Sequence, residues 1–252
     1  MTQGARAVSS EGAQLPASGT LDTNARLRDA LLIGLTFAAG VVDAVSYLGL
    51  GHIFTANMTG NVVFLAIAVG QGSILLALRS IAALSSFSLG AVLAGRILGP
   101  TKGPGRWTLR VTGVLCCELV TAAIFGVGWA LLGGNASGYV IYVLIGLSSL
   151  GMGMQNAAAR HLAIPGLTTT VITTALTGMM AQLAALNVAG PEPRRWATAI
   201  LALFSGAAVG GALMLYAKVW PPFVTVAVLT AVCGIAYWHT DCRPKLVAGS
   251  SS

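Results

Sequence analysis

The chain is poor in charge. Only 8% of its 252 residues are Asp, Glu, Lys or Arg, where a soluble domain carries roughly 25%. So few charges cannot cover a surface that faces water, and a soluble globular enzyme is excluded. Acids are scarcer than bases, with 7 Asp+Glu against 14 Lys+Arg. Histidine is rare, at 3 residues. The cysteines are Cys116, Cys117, Cys233 and Cys242. Three of them lie in apolar segments and none has zinc spacing, so they read as inert thiols and not as ligands or redox partners. The sequence lacks a nucleophile–base pair, a zincin helix, a phosphate loop and a metal-ligand cluster. An enzyme is therefore not expected, and neither a cofactor nor a metal is. No DNA- or RNA-binding motif accompanies the net charge of +7.

What the chain has in abundance is apolar and small residues. Hydrophobic types make up 56% of it, with 32 glycines, and the mean hydropathy is +0.82. Long runs without charge predict membrane helices, since barrel strands would alternate apolar and polar. Small residues suit helices that pack closely in lipid. The expected partners include membrane lipids, because the basic residues sit at segment ends, where they set orientation and meet anionic headgroups.

Residues 1–28 read as a disordered cytoplasmic tail, rich in Ser, Gly, Ala and Thr. A secretory signal is the rival reading, but the run after Arg28 is long for a signal core and leads into a polar motif without a cleavage site. The apolar segments are Leu31–Leu50, Ile53–Gly70, Ile74–Leu98, Val111–Leu132, Tyr139–Ala159, Leu167–Val188, Trp196–Val219 and Pro222–Trp238. A span needs about 20 residues. Six segments qualify. Ile53–Gly70 and Leu167–Val188 begin with polar stretches, and of the first only Val62–Gly70 is cleanly apolar.

Charge decides between two topologies. With eight spans, the basic residues divide almost evenly between the two sides. If the two doubtful segments enter and leave on one side, the count changes. Arg6, Arg26, Arg28, Arg96, Lys102, Arg106, Arg110, Arg160, Arg194, Arg195, Arg243 and Lys245 then share a side, Lys218 stands opposite, and Arg79 lies within a span. The positive-inside rule prefers this second arrangement. The expectation is an all-α integral membrane protein of about six transmembrane helices plus two short re-entrant or broken helices, with both termini cytoplasmic. A weak repeat sets Met58-Thr59 against Ile172-Thr173 and Asp43-Ala44 against Gln155-Asn156. Residues 29–133 and 139–240 would then be two membrane repeats, inverted relative to each other, with 241–252 as a cytoplasmic tail. That plan recurs in secondary transporters.

The residues that could carry chemistry cluster in Gly40–Asn61. Asp43 lies inside the first span, where a charge is costly and normally faces a bundle interior or a water-filled cavity. Ser46 and Tyr47 share its helix face. The functional reading is a cation or proton site, and the plain alternative is an Asp that ties spans together. Asn57, Thr59, Gly60 and Asn61 form a polar cluster too dense for a lipid-facing helix, as a helix break at membrane depth requires. Their second-half counterparts are Gln155, Asn156, Thr169, Thr173 and Thr174, all neutral. Glu118 is a second intramembrane acid, expected to snorkel to an interface or to pair with Arg79 or Arg110. Trp107, Trp196, Trp220 and Trp238 fall at segment ends, as an interfacial aromatic belt would.

The stretches Gly40-Val-Val-Asp43-Ala44, Phe54-Thr-Ala-Asn57-Met-Thr59-Gly60-Asn61 and Gly151-Met-Gly-Met-Gln155-Asn156 resemble the signatures of the YoaK family, bacterial membrane proteins of about six spans. The likeness covers roughly residues 30–240. It implies a bacterial plasma-membrane location and names no substrate. Thr173-Thr174-Ala175 stands where a Thr-Gly pair belongs, which weighs against a symmetric role for the two broken segments. The reading drawn from the residues is a small transporter or channel-like permease for a small solute or ion. Asp43 would be its ion-sensitive group, with Asn57, Thr59, Gly60, Asn61, Gln155, Asn156 and Thr173 lining a midplane cavity. The alternatives are a non-transporting scaffold and a lipid-acting enzyme. A homo-oligomer is compatible with all three.

Overall fold

The computed structural model describes residues 18–100, 107–162, 171–184 and 191–248, and these fold into helices joined by short turns. The helices are α1 (Ser18–Gly49), α2 (Met58–Gln71), α3 (Ile74–Leu98), α4 (Leu109–Leu131), α5 (Val140–His161), α6 (Val171–Ala184), α7 (Pro191–Tyr216) and α8 (Pro221–Ala248). Six carry stretches long and apolar enough to cross a membrane: Ala25–Gly49, Ile74–Leu98, Leu109–Leu131, Val140–His161, Arg194–Tyr216 and Pro221–His239. These are the six segments that the sequence put forward. The 14-residue α2 is about 21 Å long, too short to span.

The terminal helices run further than the sequence suggested. α1 begins at Ser18 and α8 continues to Ala248, so residues 18–28 and 241–248, assigned to tails, are helical. Adding a residue to an existing helix gains a hydrogen bond without a new nucleation cost.

α1 packs along α7, and α3 along α5. α4 and α8 touch each other, α4 closing on α5 and α8 on α1. α2 lies on α3 and α6 on α7. Glycines set the two longest contacts. At the α1–α7 crossing, a methyl on Gly206 would fall 2.0 Å from the Phe37 carbonyl oxygen, and one on Gly40 would fall 2.3 Å from that of Leu203. At the α3–α5 crossing, a methyl on Gly90 would fall 2.1 Å from the Leu150 oxygen, and one on Gly153 would fall 2.1 Å from that of Phe87. Backbone therefore meets backbone at both crossings, the close approach that small residues permit in lipid.

Two apolar clusters fill the bundle. One, around Leu32, Leu98, Leu115, Leu162 and Leu229, sits at the end that carries Arg96, Arg110, Arg160, Arg194 and Arg195. The other, around Val45, Ile53, Trp129, Ile145 and Met214, fills the opposite end. The outer surface is apolar as well: Val62, Val69, Leu75, Leu89, Val127, Phe204 and Leu215 are all exposed. An apolar band this wide is the surface of a lipid-embedded protein.

Candidate functional site

The first candidate element is the chain reversal between α1 and α2. α1 ends at Gly49. Gly51 and His52 then take left-handed backbone angles, with φ of +86° and +60°. A side chain on Gly51 would collide with the Arg79 guanidinium, which donates from Nη1 to the Gly51 carbonyl at 3.4 Å. Glycine is thus needed here on two counts, the backbone angle and the space. The chain then turns back along α1. Asp43 Oδ1 accepts from the backbone N–H groups of Thr55 (3.2 Å) and Ala56 (2.9 Å). Asp43 lies six residues before the helix end, so the loop re-enters by about 9 Å.

Asn61 holds the same loop from α2. It is wholly buried. Its Oδ1 accepts from the Phe54 N–H at 2.9 Å, and its Nδ2 donates to the Phe54 carbonyl and to Met58 Sδ. The side-chain amide thus pairs with both backbone groups of one residue, as a strand neighbour would. Asn57 caps α2, its Oδ1 accepting from Gly60 N–H at 3.4 Å. The Phe54 ring lies against Gly60, where a methyl would come within 2.8 Å of it. Tyr47, Phe54 and Phe64 stack in a row, with centroids 5.4 and 5.7 Å apart, and His52 meets the Tyr47 ring edge-on at 5.0 Å.

The second element is a cavity where α1, α4, α5 and α8 meet. Its walls include Val42 and Val45, Glu118 and Thr121, Ser148 and Gly151, and Pro222 and Thr225. It leaves about 30 Å³ for the centre of a water-sized molecule, room for about two waters. Glu118 is only 2% exposed. It stands near the midpoint of α4 and neither snorkels nor meets Arg79 or Arg110. Arg79 is bound to Gly51, and Arg110 donates to the Leu98 carbonyl at 3.3 Å. The segment boundary drawn from the sequence placed Glu118 nearer an interface because the first turn of α4, from Leu109, is too polar to count as apolar.

One hydrogen bond joins the two elements: Ser148 Oγ, on the cavity wall, donates to Thr55 Oγ1 in the re-entrant loop at 2.9 Å. The loop is therefore fixed to α1 through Asp43, to α2 through Asn61 and to α5 through Ser148.

The sequence-selected residues fall into three groups. Asp43 and Asn61 hold the loop, while Ser46 is buried and donates to the Asp43 carbonyl at 3.1 Å. Asn57, Thr59 and Tyr47 face outward. Gln155 is buried and ties α5 to α1, its Nε2 donating to the Leu35 carbonyl at 3.2 Å, and Asn156 donates to the Met152 carbonyl one turn back. Thr173 is exposed on α6, and α6 packs on α7 and not on α2. Thr169 lies outside the described residues. Of the residues selected, Glu118 lines the cavity described here and the Asp43 group does not. Thr55, Ser148, Thr121 and Thr225 were missed. Thr55 lies within the Phe54–Asn61 stretch without being singled out there. For the other three, a single hydroxyl in an apolar helix carries no signal, because it usually bonds to its own helix backbone.

Residues 31–236 match a protein family described as "Protein of unknown function (DUF1275)". The UPF0700 transmembrane protein YoaK of Bacillus subtilis (strain 168) is 37% identical over 158 residues, which is 63% of this chain and 68% of that protein. No solved structure matches.

Proposed function

The chain belongs to the DUF1275 family and is a multi-pass membrane protein, and from that premise we propose that it is a small permease for a small solute or ion. The observation that carries this reading is the Ser148–Thr55 bond. It couples a pinned re-entrant loop to a largely apolar cavity between the helices, into whose wall Glu118, Thr121, Ser148 and Thr225 bring polar groups. Irregular backbone at membrane depth is tolerated where protein or a water-lined cavity satisfies it, and transporters build their sites from such segments.

The inverted repeat belongs to this reading, and the helix crossings support it. Gly40 and Phe37 map to Gly153 and Leu150 by one displacement along the chain. Gly90, Phe87 and Ala91 map to Gly206, Leu203 and Ala207 by another. The α1–α7 crossing thus reappears as the α5–α3 crossing. The other contacts follow the same exchange: α4 on α5 as α8 on α1, and α2 on α3 as α6 on α7. Under this register Asp43 corresponds to Asn156, one residue on from the Gln155 that the sequence alone suggested. In the proposed orientation the end with the basic residues faces the cytoplasm. Six spans return both termini to that side.

A scaffold is the second reading. It draws on the two loop amides bound by Asp43 Oδ1, a bracing role that needs no solute. Flux into proteoliposomes, screened over small cations and neutral metabolites, separates the two. A permease loses flux of its solute at least tenfold in Asp43→Ala and several-fold in Ser148→Ala. If both variants fold and carry the solute at the wild-type rate, the permease reading fails.

A further inference from the structure

Glu118 is a buried acid, and among the described residues no counter-ion stands beside it. Its Oε2 has no hydrogen-bond partner among the described residues, and neither has Thr225 Oγ1. Both side chains are more than nine-tenths buried, and both line the cavity between α1, α4, α5 and α8. Two further hydroxyls stand on its wall. Thr121 Oγ1 donates to the Glu118 carbonyl at 2.8 Å, and Ser148 Oγ donates to Thr55. Each has used its proton elsewhere, so oxygen lone pairs remain. A carboxylate left alone at this depth is strongly disfavoured, and a positive charge beside it removes that penalty.

We infer that this cavity holds one monovalent alkali cation, with Glu118 as its counter-charge and the Thr225, Thr121 and Ser148 hydroxyls as neutral oxygen ligands. The charge follows from the acid count. One carboxylate balances one positive charge. Among the described residues no group of three His, Cys, Asp or Glu gathers to hold a metal, and Asp43 is engaged with the loop amides. A calcium site would need more oxygen ligands, including several carboxylates. The size follows from the volume, since room for about two waters admits a small cation with a remnant of its hydration and excludes an organic ammonium ion.

The binding stands on the cavity alone. Only the cation's part in solute movement rests on the permease reading. The test is therefore made at equilibrium, without flux. The full chain in detergent is melted at fixed pH and ionic strength in LiCl, NaCl, KCl or choline chloride. At least one alkali ion is expected to raise Tm saturably over choline, by about 5 °C at about 100 times its Kd. Glu118→Gln should abolish that rise, and Thr225→Val should shift the half-saturating concentration upward at least fivefold. Thr225→Val loses no charge and nearly keeps its shape, so it decides the matter even if Glu118→Gln does not fold. Equal Tm in all four salts overturns the inference, because it shows that no alkali ion binds the folded chain in preference to choline. So does an alkali response unchanged in Thr225→Val. Cation binding without any flux in proteoliposomes would instead count against the permease and leave this site standing.

Discussion

At the scale of single residues, the polar groups of the re-entrant loop are better explained by the backbone they satisfy than by their own reactivity. Thr55 and Ala56 present two N–H groups at membrane depth, and Asp43 accepts both. Orphaning a buried donor costs about 1–3 kcal/mol. Asp43→Ala should therefore lower stability by about 2–4 kcal/mol, while Asp43→Asn, which keeps an acceptor oxygen, should lose about 1 kcal/mol. Melting of the two variants side by side checks the order. An Asn variant as damaged as the Ala variant would show that charge, and not acceptance, is what the position requires. Asn61→Ala should cost about 2 kcal/mol, since it strips both backbone groups of Phe54 of their partner. Asn57→Ala, which removes an exposed cap, should cost about 1 kcal/mol. The sequence marked Asp43 and Asn61 through polarity in an apolar context. It gave Asn57 and Thr59 equal standing, because composition does not say which face of a short helix turns outward.

At the scale of helices, close approach governs. Gly206 and Gly90 each admit a neighbouring carbonyl oxygen where a methyl would overlap it. Neither helix can yield without moving its whole contact. Gly206→Ala and Gly90→Ala should each cost about 3 kcal/mol, at the upper end for overpacking. Gly211→Ala is the matched control on α7. Open space surrounds Gly211, so alanine there should be neutral or gain up to about 1 kcal/mol in helix propensity. Thermal melting of the three variants tests the contrast. Comparable loss in all of them would mean that glycine serves something other than the crossing. The abundance of small residues was readable as tight packing, but the partner of any one of them was not. The pairing of Gly206 with Phe37 joins residues far apart in the chain, and nothing local records it.

At the scale of the whole molecule, the defining claim is that the chain enters and leaves on one side between α1 and α3. Loop depth, helix length and the distribution of basic residues agree on it. A membrane-impermeant thiol reagent on intact cells reads it directly, in a background with the native cysteines replaced by alanine. Cysteines placed at His52, Gly72 and Ser137 should all label, and one at Thr108 should label only once the membrane is permeabilised. If α2 crossed the bilayer, His52 would label opposite Gly72 and Ser137. The core is also divided at this scale. Two apolar clusters occupy the ends of the bundle, and Glu118, Ser149 and Gln155 are buried among the helices that form them. Polar groups at this depth normally face the interior of a bundle or a water-filled cavity, and these three face the interior.

The sequence by itself determined the solvent, the number of spans and the two acids in the membrane. Those properties follow from hydropathy over some twenty residues and from the cost of charge in lipid, and both are local sums. It determined the broken segment before α2 for the same reason. Tertiary structure alone decided what the acids do. Asp43 reaches amides that only a left-handed turn at Gly51 and His52 brings back alongside α1. Glu118 faces Thr225 and Ser148 from two other helices. Such contacts depend on the relative placement of helices, which is set by a few glycines touching distant carbonyls and leaves no periodic trace in the chain.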